Sequence, residues 1–323
     1  MAQHKHLFVI DPVENLNLKL DSSLRLAKAL LENNQECFLT TPTDITWLGG
    51  TPISTPFCRA TQLLLGSGPT PDMGKSFKVN LGTFASIHMR KDPPYDLDYI
   101  SCTWMLAVAE RAGVKVYNNT EALRSINEKL AIFEFPQYCL PGVVSFSSEE
   151  LLTFAREQAN GDIIIKPLTL FGGRGVRRLN LSDLGEGKFA EELRKETAGD
   201  TQMRLVQAFN QSIFQGELRV FACCGQILSW CLKTPHNGEY LANTGRGASL
   251  NTYSPREVEV RMVQDVSHKL AAKGIKMVGF DIIGGYLSEI NISSPRLLTA
   301  DPKSEASTYN KMATLILRDL TTQ

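Results

Sequence analysis

Met277-Val278-Gly279-Phe280-Asp281-Ile282-Ile283-Gly284-Gly285-Tyr286-Leu287-Ser288-Glu289-Ile290-Asn291 is the stretch on which the reading of this chain turns. Two apolar runs flank a Gly-Gly pair, the pattern of a β-hairpin. Glu289 and Asn291 are two residues apart and share a face of the return strand. With the loop centred on Gly285, Asp281 lies opposite Glu289. Facing carboxylates repel unless a cation sits between them. Two carboxylates and an amide oxygen are hard donors, suited to Mg2+ shared with nucleotide phosphates. The plainer alternative, exposed acids on a sheet edge, is weakened because the acids interrupt apolar strands.

Upstream, Asp162-Ile163-Ile164-Ile165-Lys166-Pro167 reads as a β-branched strand ending at a lysine, and Phe171-Gly172-Gly173-Arg174-Gly175-Val176 follows. Glycines let backbone N–H groups approach phosphate oxygens, and the lysine adds a cation at short range. No G-K-[ST] follows and the spacing is not G-x-G-x-x-G, so neither standard nucleotide loop is present; an ordinary turn stays open. Between the two constellations lie the cations Arg219, Lys233 and Arg246. Residues 216–221 begin a strand and 226–232 supply its hairpin partner. Residues 234–249, with Gly238, Gly245 and Gly247, are poor in apolar residues and form either a mobile lid or a plain surface loop.

The N-terminal third opens as an α/β unit. Residues 7–10 form a buried strand, 11–20 a polar loop, 22–32 a helix with Asp21-Ser22-Ser23 as its cap, and 36–39 the next strand. Residues 40–78 read as loop and short hairpin, 84–89 as a strand, 98–112 as a helix, 115–117 as a strand, 118–120 as a turn and 121–129 as a helix. Arg90-Lys91-Asp92-Pro93-Pro94 ends a strand and either points charge into the crevice, where such sheets bind ligands, or is a solvated turn. Asp11-Pro12-Val13-Glu14-Asn15 has no glycine, which excludes a dinucleotide-binding oxidoreductase. A second unit holds residues 162–176, and a third begins near Met203.

The 34 Lys+Arg balance the 34 Asp+Glu among 323 residues, so no basic excess draws the chain to nucleic acid. At 43% hydrophobic the chain fills buried cores, and its length suits two or three domains. Seven cysteines without C-x-x-C fit reduced, mostly buried thiols rather than disulfides or zinc. The five histidines form no H-x-x-x-H pair, and His4 and His6 fall at an N-terminus expected to fray. No apolar run is long enough to span a membrane, which points to a soluble cytoplasmic protein.

Taken in order, Ile10-Asp11-Pro12, Asp21-Ser22-Ser23, Met89-Arg90-Lys91-Asp92-Pro93-Pro94, Asn127-Glu128-Lys129-Leu130, Ile165-Lys166-Pro167-Leu168, Gly172-Gly173, the 278–284 strand and Glu289-Ile290-Asn291-Ile292-Ser293-Ser294-Pro295 resemble the bacterial glutathione synthetases of the ATP-grasp superfamily. The resemblance implies an α/β chain, α+β in its C-terminal part. Residues 1–124 would be an N-terminal open α/β substrate domain, 125–204 a central ATP-grasp part with the phosphate loop, and 205–323 a C-terminal part with metal site and lid. It implies phosphorylation of the carboxylate of γ-glutamylcysteine by ATP, with Mg2+ or Mn2+, and attack of glycine on the acyl phosphate. By the same resemblance Lys129, Lys166, Gly172 and Gly173 hold the nucleotide, Gln207-Ala208-Phe209-Asn210 reads the adenine edge and Glu217 meets the ribose. Asp281, Glu289 and Asn291 bind metal. Arg219, Lys233 and Arg246 act in catalysis, while Asp21, Ser22, Ser23 and Arg90 meet the peptide. A homo-oligomer, dimer or tetramer, is expected on the same ground, with no membrane and no nucleic acid as partner.

The chain departs from that family where substrates sit. Thr169-Leu170-Phe171-Gly172-Gly173 lacks the acid and one glycine of the usual phosphate loop. Lysine stands at 233 and leucine at 241 where the family has arginine, and Arg296-Leu297-Leu298-Thr299-Ala300-Asp301 replaces the usual segment. A ligase for another donor or acceptor, and a non-catalytic nucleotide-binding protein, are the alternatives these changes raise.

Overall fold

The computed structural model describes residues 2–18, 20–50 and 55–321. The parts of the 11–20 and 40–78 expectations that fall on residues 19 and 51–54 lie outside them. Among the described residues the chain forms three sheets.

The first has seven strands: β1 (Lys5–Val9), β2 (Glu36–Thr40), β3 (Ile45–Thr46), β4 (Phe57–Leu64), β5 (Asp72–Asn80), β6 (Ser86–Met89) and β7 (Lys115–Tyr117). β2, β1, β6 and β7 run parallel, and β3, β4 and β5 extend the β2 edge antiparallel. Helix α1 (Ser22–Glu32) is capped by Asp21, whose carboxylate accepts from the amides of Ser23 and Leu24, and it buries Leu24, Leu26, Ala27 and Leu30. Such a cap contributes about 1 kcal/mol. Helices α2 (Leu97–Arg111) and α3 (Thr120–Ser125) follow.

Three expectations fail here. The 40–78 stretch, expected to be loop and short hairpin, holds a long hairpin, β4–β5; its extent was not legible because β5 is polar and exposed along most of its length. The 121–129 helix stops at Ser125, where Asn127 turns its side chain onto the amides of Lys129 and Leu130 and redirects the chain. The N-terminus is not frayed at the histidines: His6 is fully buried in β1, its Nδ1 2.8 Å from Ser86 Oγ, and the His4 amide donates to Gln35.

The second sheet joins β8 (Gly142–Ser145), β9 (Asp162–Pro167), β10 (Arg177–Asn180) and β11 (Arg204–Ala208) in the order β10-β9-β11-β8, covered by α4 (Ser148–Gln158), α5 (Leu181–Leu184) and α6 (Glu186–Glu196). β11 pairs with β8 and β9, so this sheet ends after Ala208, not near Met203 as expected. The third is antiparallel: β12 (Glu217–Cys223), β13 (Gln226–Thr234), β14 (Ser249–Thr252), β15 (Met277–Ile283) and β16 (Tyr286–Asn291), ordered β14-β13-β12-β15-β16. Helices α7 (Glu257–Ala272) and α8 (Pro302–Thr321) pack with it.

The first and third sheets share two cores. One joins Leu7, Val9 and Ile87 to Val220, Val263 and Phe280; the other joins Phe8, Leu24 and Leu30 to Phe221, Met277 and Ile316. The second unit keeps Leu151, Ile163, Ile165, Phe189, Leu193 and Val206 to itself. All seven cysteines are free thiols, and among the described residues no helix is long and apolar enough to cross a membrane.

Candidate active site

The hairpin that opened the sequence reading forms, and its register puts Asp281 opposite Glu289 and Gly279 opposite Asn291. The route differs from expectation. The turn is the two-residue Gly284-Gly285, joining Ile283 directly to Tyr286, and a bulge between Asp281 and Ile282 inserts one extra residue on β16. That residue is Ser288; its carbonyl and hydroxyl both lie 3.3 Å from the Lys166 ammonium.

Alternation then gathers one polar face. Glu217 and Arg219 of β12, Asp281 of β15, Glu289 and Asn291 of β16 and Lys233 of β13 stand on it, while Leu218, Val220, Phe280, Ile282 and Ile290 face the core. Asp281 is the hub. Its Oδ2 accepts from Arg219 at 2.7 Å and from Asn291 Nδ2 at 2.9 Å, and its Oδ1 accepts from Lys233 at 2.8 Å. Lys233 also meets Glu217 at 2.7 Å. Gly279 makes the hub possible: a Cβ there would meet the Arg219 guanidinium carbon at 3.1 Å. The cations between the facing acids are thus supplied by the protein, since Lys129 takes Glu289 at 3.2 Å.

Burial opposes every charge in this cluster, and the partners decide the outcome. Despite burial, Arg219 and Lys233 hold the Asp281 carboxyl well below the usual carboxylate range. Burial works against the Lys233 ammonium, but Asp281 and Glu217 hold it above its ordinary value. Glu217 goes the other way: burial pushes its carboxyl up, only partly offset by Lys233. Burial lowers Lys166, against the pull of Glu289 and Glu217.

A cavity of about 390 Å3 lies between this face and the second unit, within the range of small-molecule sites. Lys129, Lys166, Gly172, Gly173, Gln207, Ala208, Phe209, Asn210, Glu217, Arg219, Lys233, Asp281, Glu289 and Asn291 all line it. Lys129 also donates to the Leu170 carbonyl and so ties the glycine loop to the hairpin. The 234–249 segment covers the opening: Tyr240, Leu241 and Asn243 line the cavity, Leu241 faces Gly173, and Asn243 donates to the Gly172 carbonyl.

Other expected residues stand elsewhere. Arg246 is exposed on the turn Thr244–Arg246 and does not line the cavity. Neither Arg90 nor Lys91 points into it. Arg90 is buried, donating to Ser23 Oγ at 3.0 Å and to the Pro295 carbonyl at 2.9 Å, and Lys91 donates to the Asp92 carbonyl. Asp21 is spent on the α1 cap, and Ser22 accepts from Tyr309. Asp92 and Pro93 are the residues of that motif which reach the cavity.

Glu128 had no role assigned from residue order; its carboxylate accepts from the Ile292 and Ser293 amides at 2.6 and 2.7 Å and fixes the end of β16. Its place inside Asn127-Glu128-Lys129 was the available signal. Arg178 was also missed. It lies 3.8 Å from the Phe209 ring centroid and pairs with Asp162, a link between β9, β10 and the 207–210 segment that only the fold reveals.

As a metal site, the donor set fits a hard divalent cation. The Asn291 Nδ2 is turned to Asp281 and Gly279, so Oδ1 accepts no hydrogen bond among the described residues. Two carboxylates and one amide oxygen would fill three positions of an octahedral shell and leave the other half to phosphates and water. Among the described residues no cluster of three or more His, Cys, Asp or Glu has metal-holding geometry, so the cation would depend on its nucleotide.

The comparisons with known proteins agree with this architecture. Residues 4–124 match the prokaryotic glutathione synthetase N-terminal domain, and residues 128–300 match the prokaryotic glutathione synthetase ATP-grasp domain. The chain is 34% identical to the glutathione synthetase of Parasynechococcus marenigrum over 291 residues, covering 90% of this chain and 91% of that one. It is 32% identical to that of Nitrosomonas europaea over 297 residues, 90% of each. Among solved structures, the D-cycloserine synthetase DcsG superposes with a TM-score of 0.67 at 12% identity over 98% of this chain and 100% of that one. The ATP-grasp ligase PsnB does so with 0.61 at 17% over 98% and 99%. These structures share the fold; the sequence relatives carry the kinship. The chain belongs to the prokaryotic glutathione synthetase family.

Proposed function

We propose that this chain is an ATP-dependent carboxylate–amine ligase that joins γ-glutamylcysteine to glycine with release of ADP and phosphate. One observation carries the reading: six polar side chains of one sheet face meet two buried lysines from outside that sheet across a single cavity.

A carboxylate is a poor electrophile, and phosphorylation gives it a leaving group. Lys129 and Lys166 place positive charge on the phosphate side, and the glycine loop offers backbone N–H groups there. The 207–210 segment takes the adenine edge, and Glu217 the ribose. Arg219, kept cationic by Asp281, stabilises charge as the acyl group is attacked. Asp281, Glu289 and Asn291 would hold Mg2+, which would supply positive charge to neutralise the nucleotide phosphates. The 234–249 lid excludes water that would hydrolyse the activated acyl group. Arg90, Ser22 and Ser23 brace the 295–297 segment on the side where the peptide enters. Cytoplasmic location and homo-oligomerisation complete the proposal on family resemblance.

A second reading keeps this chemistry with a different donor or acceptor. Leu241 against Gly173, where the family has arginine, favours it. The test is incubation with ATP, Mg2+, γ-glutamylcysteine and glycine, read by product mass and phosphate release. Glutathione formed with one phosphate per molecule supports the first reading. ADP release with another amine and none with glycine supports the second. Nucleotide binding without turnover on any amine contradicts both.

A further inference from the structure

Most cations on the cavity wall already have a partner. Lys129 is held by Glu289, Lys166 by Ser288, Arg219 by Asp281, and Lys233 by Asp281 and Glu217; Arg174 rests on the Phe171 ring. Arg296 also lines the cavity, is exposed, and has no hydrogen-bond or ionic partner among the described residues.

Its placement is enforced from both sides. Pro295 is buried with its carbonyl taken by Arg90, and Leu297 is buried at 3% exposure with its carbonyl near Ser22 and Tyr309. Ser294 donates to the Arg90 carbonyl, and the Leu298 carbonyl accepts from Cys231. Residue 296 is left as the one position of 295–297 whose side chain turns outward. The segment also touches the reaction centre: a Cβ at Gly279 would meet Pro295 at 3.2 Å and Arg219 at 3.1 Å, so ring and guanidinium lie against the same glycine.

We propose that Arg296 reads the carboxylate of the amino-acid acceptor, so that the enzyme selects α-amino acids over simple amines. The inference rests on the ligase reading above. An amine that attacks beside Arg219 carries its carboxylate one carbon away, which calls for a free cation next to that arginine and away from the phosphates. An unpaired guanidinium binds a carboxylate with two parallel hydrogen bonds, a geometry lysine cannot copy.

The test compares the wild type, Arg296→Gln and Arg296→Lys with glycine and with glycinamide, which keeps the amine and loses the carboxylate charge. The expected result for Arg296→Gln is a glycine KM raised roughly tenfold to a hundredfold, as for loss of a charged hydrogen-bonded pair. Glycinamide turnover, the KM values for ATP and dipeptide and the melting temperature stay put, so the preference for glycine collapses; Arg296→Lys recovers part of it. An unchanged glycine KM and preference in Arg296→Gln overturns the inference alone, as does a rise confined to the dipeptide KM. A wild type that makes no glutathione from glycine overturns the first reading of the reaction given above, and this inference with it.

Discussion

The second unit packs Leu151, Ile163, Phe189 and Val206 into a core of its own, whereas the first and third sheets are fused through two shared cores. The cavity lies along that difference. Its carboxylates, Glu217, Asp281 and Glu289 among them, belong to the fused base; Lys166 and the glycine loop belong to the separable cover. A rigid acidic floor under a body with its own core lets the cover move without disturbing the floor's register. The hydrogen bonds across the seam include Lys166 to Ser288, Lys129 to the Leu170 carbonyl, Asn127 to the Leu168 carbonyl and Asn243 to the Gly172 carbonyl, with Leu241 against Gly173.

The largest break in that comparison comes from Asp281→Ala. It strands Arg219 and Lys233 in the floor, and stability should fall by about 3–5 kcal/mol, as when one partner of a buried ion cluster is lost. Turnover goes with it; denaturant midpoints and phosphate release measure both. Glu289→Ala, at the seam, should abolish turnover yet cost only about 1–2 kcal/mol, because Glu289 is half-buried with one ionic partner. A stability loss equal to that of Asp281→Ala would mean floor and seam are not distinct.

Acid should separate the two bodies. His6 and His88 lie fully buried in the first sheet, and residues 142–208 contain no histidine. Burial lowers His6 from 6.5 to about 4 and His88 well below its ordinary value. The unfolded chain therefore binds protons that the folded base refuses, so stability is full above about pH 6.5 and falls as pH drops toward 4. His6 alone contributes on the order of 3 kcal/mol to that loss. Hydrogen exchange should show the base opening before the second unit as pH falls, and His6→Gln should flatten the dependence.

The smallest effect belongs to the cover. Arg178→Ala removes the Asp162 pair and the contact over Phe209, both partly exposed, for about 1 kcal/mol. Nucleotide KM should rise while the base's exchange pattern stays unchanged.

Much of this was legible in residue order because hairpin alternation is a local rule. Glu289 and Asn291 share a face by strand period alone, and the lysine–glycine series marked the opposite wall. The facing of 281 and 289 was read from a symmetric loop, though a tight turn and a bulge at Ser288 produce it. What stayed hidden depended on distant partners. Nothing local says that Arg90 is spent on Ser23 and Pro295, that Glu128 caps the end of β16, or that His6 is fully buried within β1. The hairpin expected in 40–78 was read as short because β5, exposed along most of its length, lacks the apolar alternation that burial imposes.

The central claim is that the β15–β16 floor and the two lysines together grip a metal-loaded nucleotide. A crystal structure with Mn2+ and a non-hydrolysable ATP analogue, with manganese located by anomalous scattering, tests it most directly. The account predicts manganese bonded to Glu289 and Asn291 or Asp281, with phosphate oxygens in contact with Lys129 and Lys166. Manganese and phosphates bound away from these side chains, in a protein saturated with the analogue, would contradict it.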